Sequence, residues 1–197
     1  MAESPPIDQL CRALEAEFER DPRGPGVARL LSSYQGEHDD WRSWTRFSEE
    51  RYTRNLVARC GTYELLLLCW EEGQESPIHD HADQRCWMGV LQGELEEVHY
   101  RLPEGGGIEE GRAQPFQAGQ VAFIDDGIAY HLIRPRGGRA VSLHLYSDPI
   151  DSCRIFCPET GTAETVAMGY HSVRGTLCQG DDPARIREQV LAGTWGA

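Results

Sequence analysis

From about residue 52 onward the chain is a succession of short runs rich in Val, Leu, Tyr and Phe, each bounded by Gly, Pro or Asp. That punctuation is what an all-β barrel or sandwich requires. Strands are predicted at 52–59, 63–70, 86–91, 94–102, 119–124, 130–134, 139–146 and 152–156. In RAVSLHLY the side chains of Val141, Leu143 and Leu145 share one face of an extended segment, and Ser142, His144 and Tyr146 share the other. Such a polar row faces water on a surface strand or the lumen of a barrel, and alternation by itself leaves both readings open.

Before residue 52 the period changes. Ile7, Leu10, Cys11, Leu14 and Phe18 recur at three- and four-residue spacing behind Ser4 and Pro5-Pro6. This predicts a helix with Ser4 as its cap and the prolines in its first turn. A second short helix is predicted at 27–34, a solvated glycine-rich acidic loop at 103–111 and a closing helix at 183–191. With 197 residues and 40% hydrophobic content, the chain has room for one domain with a substantial core. The expected division is a helical segment at 1–50, a β-barrel at 51–175 and a C-terminal extension at 176–197.

A formal charge of -13, from 32 acidic against 19 basic residues, repels phosphate backbones and anionic lipids. Nucleic acid and membrane surfaces are therefore poor partners. Acidic residues stand where a signal peptide needs a basic region, and no run is long enough to span a bilayer, so a soluble cytoplasmic protein is expected. Cys11, Cys60, Cys69, Cys86, Cys153, Cys157 and Cys178 form an odd set without a CxxC pair. They read as reduced, mostly buried thiols.

In SPIHDHADQRCWMGVLQG, His79 and His81 are two apart, and in an extended chain both imidazoles project to one side and reach one metal ion. Surface histidines account for most isolated pairs of this kind. The framing is more informative: Gly73, the His79/His81 pair, Cys86 and Gly93 resemble the first cupin-superfamily motif, G-x5-H-x-H-x4-E-x6-G, in spacing. Gly119, Gly127 and His131 in GQVAFIDDGIAYH resemble the second motif, with Asp125 in place of its proline and one more residue before the histidine. Cys86 occupies the position of the motif's metal-binding glutamate. Either its thiolate is a ligand, which favours zinc, or three neutral imidazoles hold the ion, which suits iron(II) with open positions for an anionic substrate and oxygen.

The segments YTRNLV, LLCWEEG, IHDHADQRC, LQGEL, AVSLHLYSDPIDSC and ETGT, in order over residues 52–171, resemble the cysteine dioxygenase family. The resemblance implies a mainly β cupin barrel (double-stranded β-helix, or jelly roll) with an N-terminal helical segment. It implies that His79, His81 and His131 bind Fe(II), that Arg54 holds the carboxylate of L-cysteine, and that Tyr52 orients the carboxylate or the arginine. By the same resemblance the Tyr146 hydroxyl lies beside the iron, Cys86 is joined to Tyr146 by a thioether, and Ser142 and His144 relay hydrogen bonds to the tyrosine hydroxyl. The implied reaction adds both atoms of O2 to the substrate sulfur, giving cysteine sulfinic acid without a separate reductant, in a monomer.

Rival readings are a dioxygenase for 3-mercaptopropionate, whose members carry glutamine at the position of Arg54, and a non-catalytic metal-binding cupin. His38, His99 and His171 read as surface or satisfied histidines, Cys153 and Cys157 as packing residues, and Trp70, Trp87 and Phe123 as core. Animal members have Ser-Pro-Pro with a cis peptide bond where this chain has Ser147-Asp148-Pro149, so that geometry does not transfer directly.

Overall fold

The computed structural model describes residues 4–103, 107–125, 127–158, 160–180 and 182–192. Residues 104–106 of the expected loop, and residues 181 and 193–197 of the C-terminal extension, lie outside the described residues. The N-terminal part contains helices α1 (Pro6–Arg20) and α2 (Val27–Glu37) and a short 3-10 turn at Asp40–Trp44. Strands β1 (Thr53–Arg59), β2 (Glu64–Trp70), β3 (Ile78–His79), β4 (Arg85–Gln92), β5 (Glu94–Arg101) and β6 (Glu109–Gln117) follow. After them come β7 (Val121–Ile124), β8 (Tyr130–Pro135), β9 (Ala140–Ser147), β10 (Ser152–Cys157), β11 (Thr162–Ala167), β12 (Ser172–Val173), β13 (Thr176–Leu177) and helix α3 (Pro183–Ala192).

The strands form two facing sheets of the double-stranded β-helix kind. One runs β13-β12-β1-β2-β9-β4-β7 and the other β11-β10-β3-β8-β5-β6. The alternation read in β9 decides the layering. Val141, Leu143 and Leu145 join Leu65 and Leu67 of β2 and pack on Ile7, Leu14, Val27 and Leu31 of the two helices. Tyr146, on the opposite face, joins Leu66, Leu68, Trp70, Cys86 and Ile133 between the sheets. Each large aliphatic side chain buried in either layer contributes about 1.5–3 kcal/mol, an upper figure because unfolded chains already bury some surface.

Several local expectations are corrected. Ser4 does not cap α1: the cap position is Pro5, without a side-chain hydrogen bond, and Asp40 Oδ2 accepts the Ile7 N–H at 2.9 Å. A distant carboxylate thus meets the orphan donor that a local hydroxyl was expected to meet. The acidic stretch 103–111 is not all loop, because Glu109 and Glu110 pair with Arg101 and Tyr100 across the β5–β6 hairpin. Those positions are exposed, so no apolar alternation marked them, and the same holds for β11. Tyr52 lies one residue before β1 rather than in it. Gly93 sits between β4 and β5 with φ +77°, and a Cβ there would meet the Arg139 carbonyl oxygen at 2.7 Å. Only glycine satisfies both demands. Among the described residues no helix is long and apolar enough to cross a membrane.

Candidate functional site

Strand pairing brings the motif histidines together. His79 in β3 is the register partner of His131 in β8. His81 follows two residues on, fully buried, with its ring centroid 4.6 Å from that of His131 and 5.3 Å from that of His79. One nitrogen from each of the three histidines lies within 4.8 Å of the others, and the Nε2 atoms of His79 and His131 are 3.3 Å apart. Two imidazoles bound at roughly 2.1 Å and at right angles on one ion have nitrogens roughly 3 Å apart, so the spacing suits a shared metal.

Neighbouring groups fix which nitrogens of His79 and His131 keep a free lone pair. Pro77 supplies a carbonyl oxygen 2.9 Å from His79 Nδ1, which makes that nitrogen the N–H donor and leaves Nε2 its lone pair. His131 Nδ1 lies 2.8 Å from Glu97 Oε1 and is oriented in the same sense. Glu97 also lies 3.2 Å from His99, and burial pushes its carboxyl above the usual range. Between the motif histidines, Asp80 is buried and accepts the Arg154 backbone N–H at 2.8 Å and its guanidinium Nε–H at 2.5 Å. This pins the turn that carries both imidazoles. Burial and the neighbouring His81 hold His79 down at about 4, and burial with the two other histidines holds His131 well below the ordinary value. His79 and His131 are therefore neutral imidazoles, the form a metal requires.

Cys86 does not join this group; the metal-capable cluster among the described residues is His79, His81 and His131. Burial, then Glu97, pushes the Cys86 thiol far above its usual range, so it is not a thiolate. It sits directly opposite Tyr146 in the β4–β9 register, where cross-strand side chains touch. The inner row of β9 is hydrogen-bonded: Trp70 Nε1 donates to Ser142 Oγ at 3.0 Å, and Ser142 Oγ lies 2.9 Å from His144 Nε2. The far nitrogen of His144, Nδ1, lies 3.9 Å from Cys86 Sγ, so this contact runs toward the sulfur rather than the Tyr146 hydroxyl that was expected. Burial, then Cys86, keeps the Tyr146 phenol neutral, well above its usual range.

Tyr52, Arg54, Trp70, His79, His131, His144 and Tyr146 line one cavity of about 50 Å³. That is room for roughly four water-sized groups, the scale of a very small ligand. The Arg54 guanidinium is 5.7 Å from the Tyr146 ring centroid, and its Nε donates to the Gly169 carbonyl at 3.2 Å. Its Nη2 is buried without a hydrogen-bond partner. Burial alone would lower Arg54, yet Tyr146 and Glu64 hold it above its usual range, so it is always a cation. Tyr52 stacks on Trp70 with centroids 4.5 Å apart. Ser147–Asp148 is a cis peptide bond.

Sequence reasoning missed three contributors. Trp70, expected only in the core, also donates to the polar row, and Glu97 and Glu64 were not singled out; His99, expected at the surface or satisfied, is satisfied by Glu97. Glu97 had one local signal, since it shares a strand face with the buried Leu95. Cys153, read as a packing residue, is buried with its Sγ 3.4 Å from Met168 Sδ, and it lines the cavity as well.

The family model described as cysteine dioxygenase type I matches residues 6–158. Cysteine dioxygenase type 1 of Danio rerio is 38% identical over 176 residues, covering 86% of this chain and 88% of the relative. The Rattus norvegicus protein of the same name is 38% identical and the Homo sapiens one 36%, each over 154 residues, 76% of this chain and 77% of the relative. A solved double-stranded β-helix protein from Klebsiella pneumoniae covers 66% of this chain and 96% of its own at 17% identity, with a TM-score of 0.47.

Proposed function

This chain belongs to the cysteine dioxygenase type I family, and on that premise we propose that it converts L-cysteine and O2 to cysteine sulfinic acid at a three-histidine Fe(II) site. The observation that carries this reading is the three-histidine cluster whose His79 and His131 line one small cavity together with a buried guanidinium, one N–H of which makes no hydrogen bond. A carboxylate is the group that a planar, always-charged guanidinium takes in two parallel hydrogen bonds. An amino acid bearing a thiol satisfies both ends of the cavity.

Ferrous iron, held by His79, His81 and His131, would supply open positions where a thiolate and dioxygen meet and exchange electrons. Arg54 fixes the carboxylate, which turns the encounter of sulfur and oxygen into an oriented step. The Tyr146 hydroxyl, kept protonated by its surroundings, donates to the oxygen as negative charge develops there. His144, also kept neutral by burial, and Ser142 hold the row that carries Tyr146. Leu68, Ile133 and Ile150 exclude water from the same space.

The register opposition of Cys86 and Tyr146 supports a thioether between Cys86 Sγ and the tyrosine ring. Its formation removes the thiol hydrogen and one ring hydrogen, with dioxygen as the oxidant. Intact mass after aerobic turnover with iron is expected to fall by two hydrogens; an unchanged mass removes the crosslink from this account.

The decisive experiment is anaerobic iron loading followed by oxygen uptake with L-cysteine and with 3-mercaptopropionate. Arg54 favours L-cysteine, with sulfinic acid formed in step with oxygen consumed. A strong preference for 3-mercaptopropionate reassigns the substrate, and no uptake with either thiol makes the chain a binding protein.

A further inference from the structure

The buried charges that the imidazole cluster does not use converge behind Arg54. Glu64 is fully buried; its Oε2 accepts the Ile150 backbone N–H at 3.1 Å and lies 3.4 Å from Arg59 Nη1. Arg59 donates to the Tyr170 hydroxyl at 2.8 Å and to Asp151 Oδ1 at 2.7 Å. One carboxylate oxygen of Glu64 is therefore committed. The other, Oε1, has no hydrogen-bond partner and stands 3.6 Å from Arg54 Nη2, which has none either. That separation is too long for a hydrogen bond and short enough for strong attraction where water is excluded.

A guanidinium shared by two carboxylates binds each less tightly than it would bind one alone. Glu64 is a resident anion beside the donor that a substrate carboxylate needs, and Arg59 gives Glu64 a second cation that draws it away. We propose that Glu64 and Arg59 form a charge balance that sets the carboxylate affinity of Arg54, and so the selection of carboxylate-bearing thiols over thiols without one. Both are positioning residues, acting through Arg54, and the inference rests on the reading of Arg54 as the carboxylate clamp. Without Arg59, Glu64 keeps Arg54 as its one arginine partner, and an incoming carboxylate must displace it. Neutralising Glu64 as well removes the competitor.

The test is calorimetric titration of the ferrous protein, without oxygen, with L-cysteine and with cysteamine, which has the same thiol and amine but no carboxylate. The ratio of the two dissociation constants isolates the carboxylate and needs no turnover. R59Q is expected to lower the preference for L-cysteine by about tenfold, the size of coupling common between contacting charged groups, with cysteamine binding unchanged. R59K retains the wild-type preference, and R59Q combined with E64Q restores it or exceeds it. An unchanged preference in R59Q, or a double variant as weak as R59Q, overturns the proposal. Should the double variant fail to fold, R59Q against R59K decides. A wild-type protein that binds both thiols equally overturns instead the assignment of Arg54 as clamp, so the two failures are distinct.

Discussion

The two faces of β9 are equally closed to water and do different work. Val141, Leu143 and Leu145 seal the sheet against the helices, while His144 and Tyr146 line the cavity between the sheets and Ser142 is hydrogen-bonded beside them. Every residue of the strand is buried, so burial does not tell the two rows apart. What separates them is polarity at a period of two, and every polar atom on the inner face needs a partner that the outer face never requires.

If that division holds, damage to the inner face removes chemistry and damage to the outer face removes stability. The largest effect is expected from H131A. One imidazole fewer should weaken iron retention by more than about 100-fold, exceeding the loss typical when only a partner of a ligand is removed. Iron content after dialysis and oxygen uptake with L-cysteine should collapse together, while the folded state persists. An H131A protein that keeps its iron would break the comparison.

The converse is L143A. A leucine with no exposed surface, truncated in a tight layer, is expected to destabilise the fold by about 2–5 kcal/mol in urea denaturation. Its kcat/KM, measured well below the melting temperature, should stay within about twofold of wild type. Loss of turnover in folded L143A would mean that the faces are coupled.

The smallest effect sharpens the contrast through pH. Histidines in the unfolded chain take up protons below about pH 6.5, whereas burial and His81 keep the folded His79 neutral down to about 4. The contribution of His79 to the stability of the metal-free protein is therefore full above about pH 6.5 and falls as pH drops toward 4. His79 alone should account for a loss of about 1–2 kcal/mol at pH 5. The increment lost in L143A should be the same at pH 7 and pH 5, since burial raises the thiols and phenols of that layer, Cys11, Tyr34, Tyr63 and Cys69, above their usual ranges and none titrates there. An acid-insensitive denaturation midpoint would contradict the neutral, buried imidazoles.

The sequence by itself determined the apolar stripe of α1, the period-two rows of β9, the HxH pair on one side of an extended segment and the glycine frame around it, because each is a relation between near neighbours. It also carried the collinear family segments, and with them His131, Arg54 and the opposition of Cys86 and Tyr146. Only the tertiary structure decided which partners complete those groups. Glu97 reaches His131 across the β5–β8 pairing, Trp70 reaches Ser142 from β2, and Asp40 caps a helix 33 residues away. The exposed strands β6 and β11 were likewise decided by pairing, without an apolar pattern to announce them. Glu64 and Arg59 are the clearest case: each is an ordinary charge beside a turn until the register of β1 and β2 and the segment around Tyr170 enclose them behind Arg54. Antiparallel register joins residues regardless of their distance along the chain, so local pattern states which side chains face inward and leaves open what they meet there.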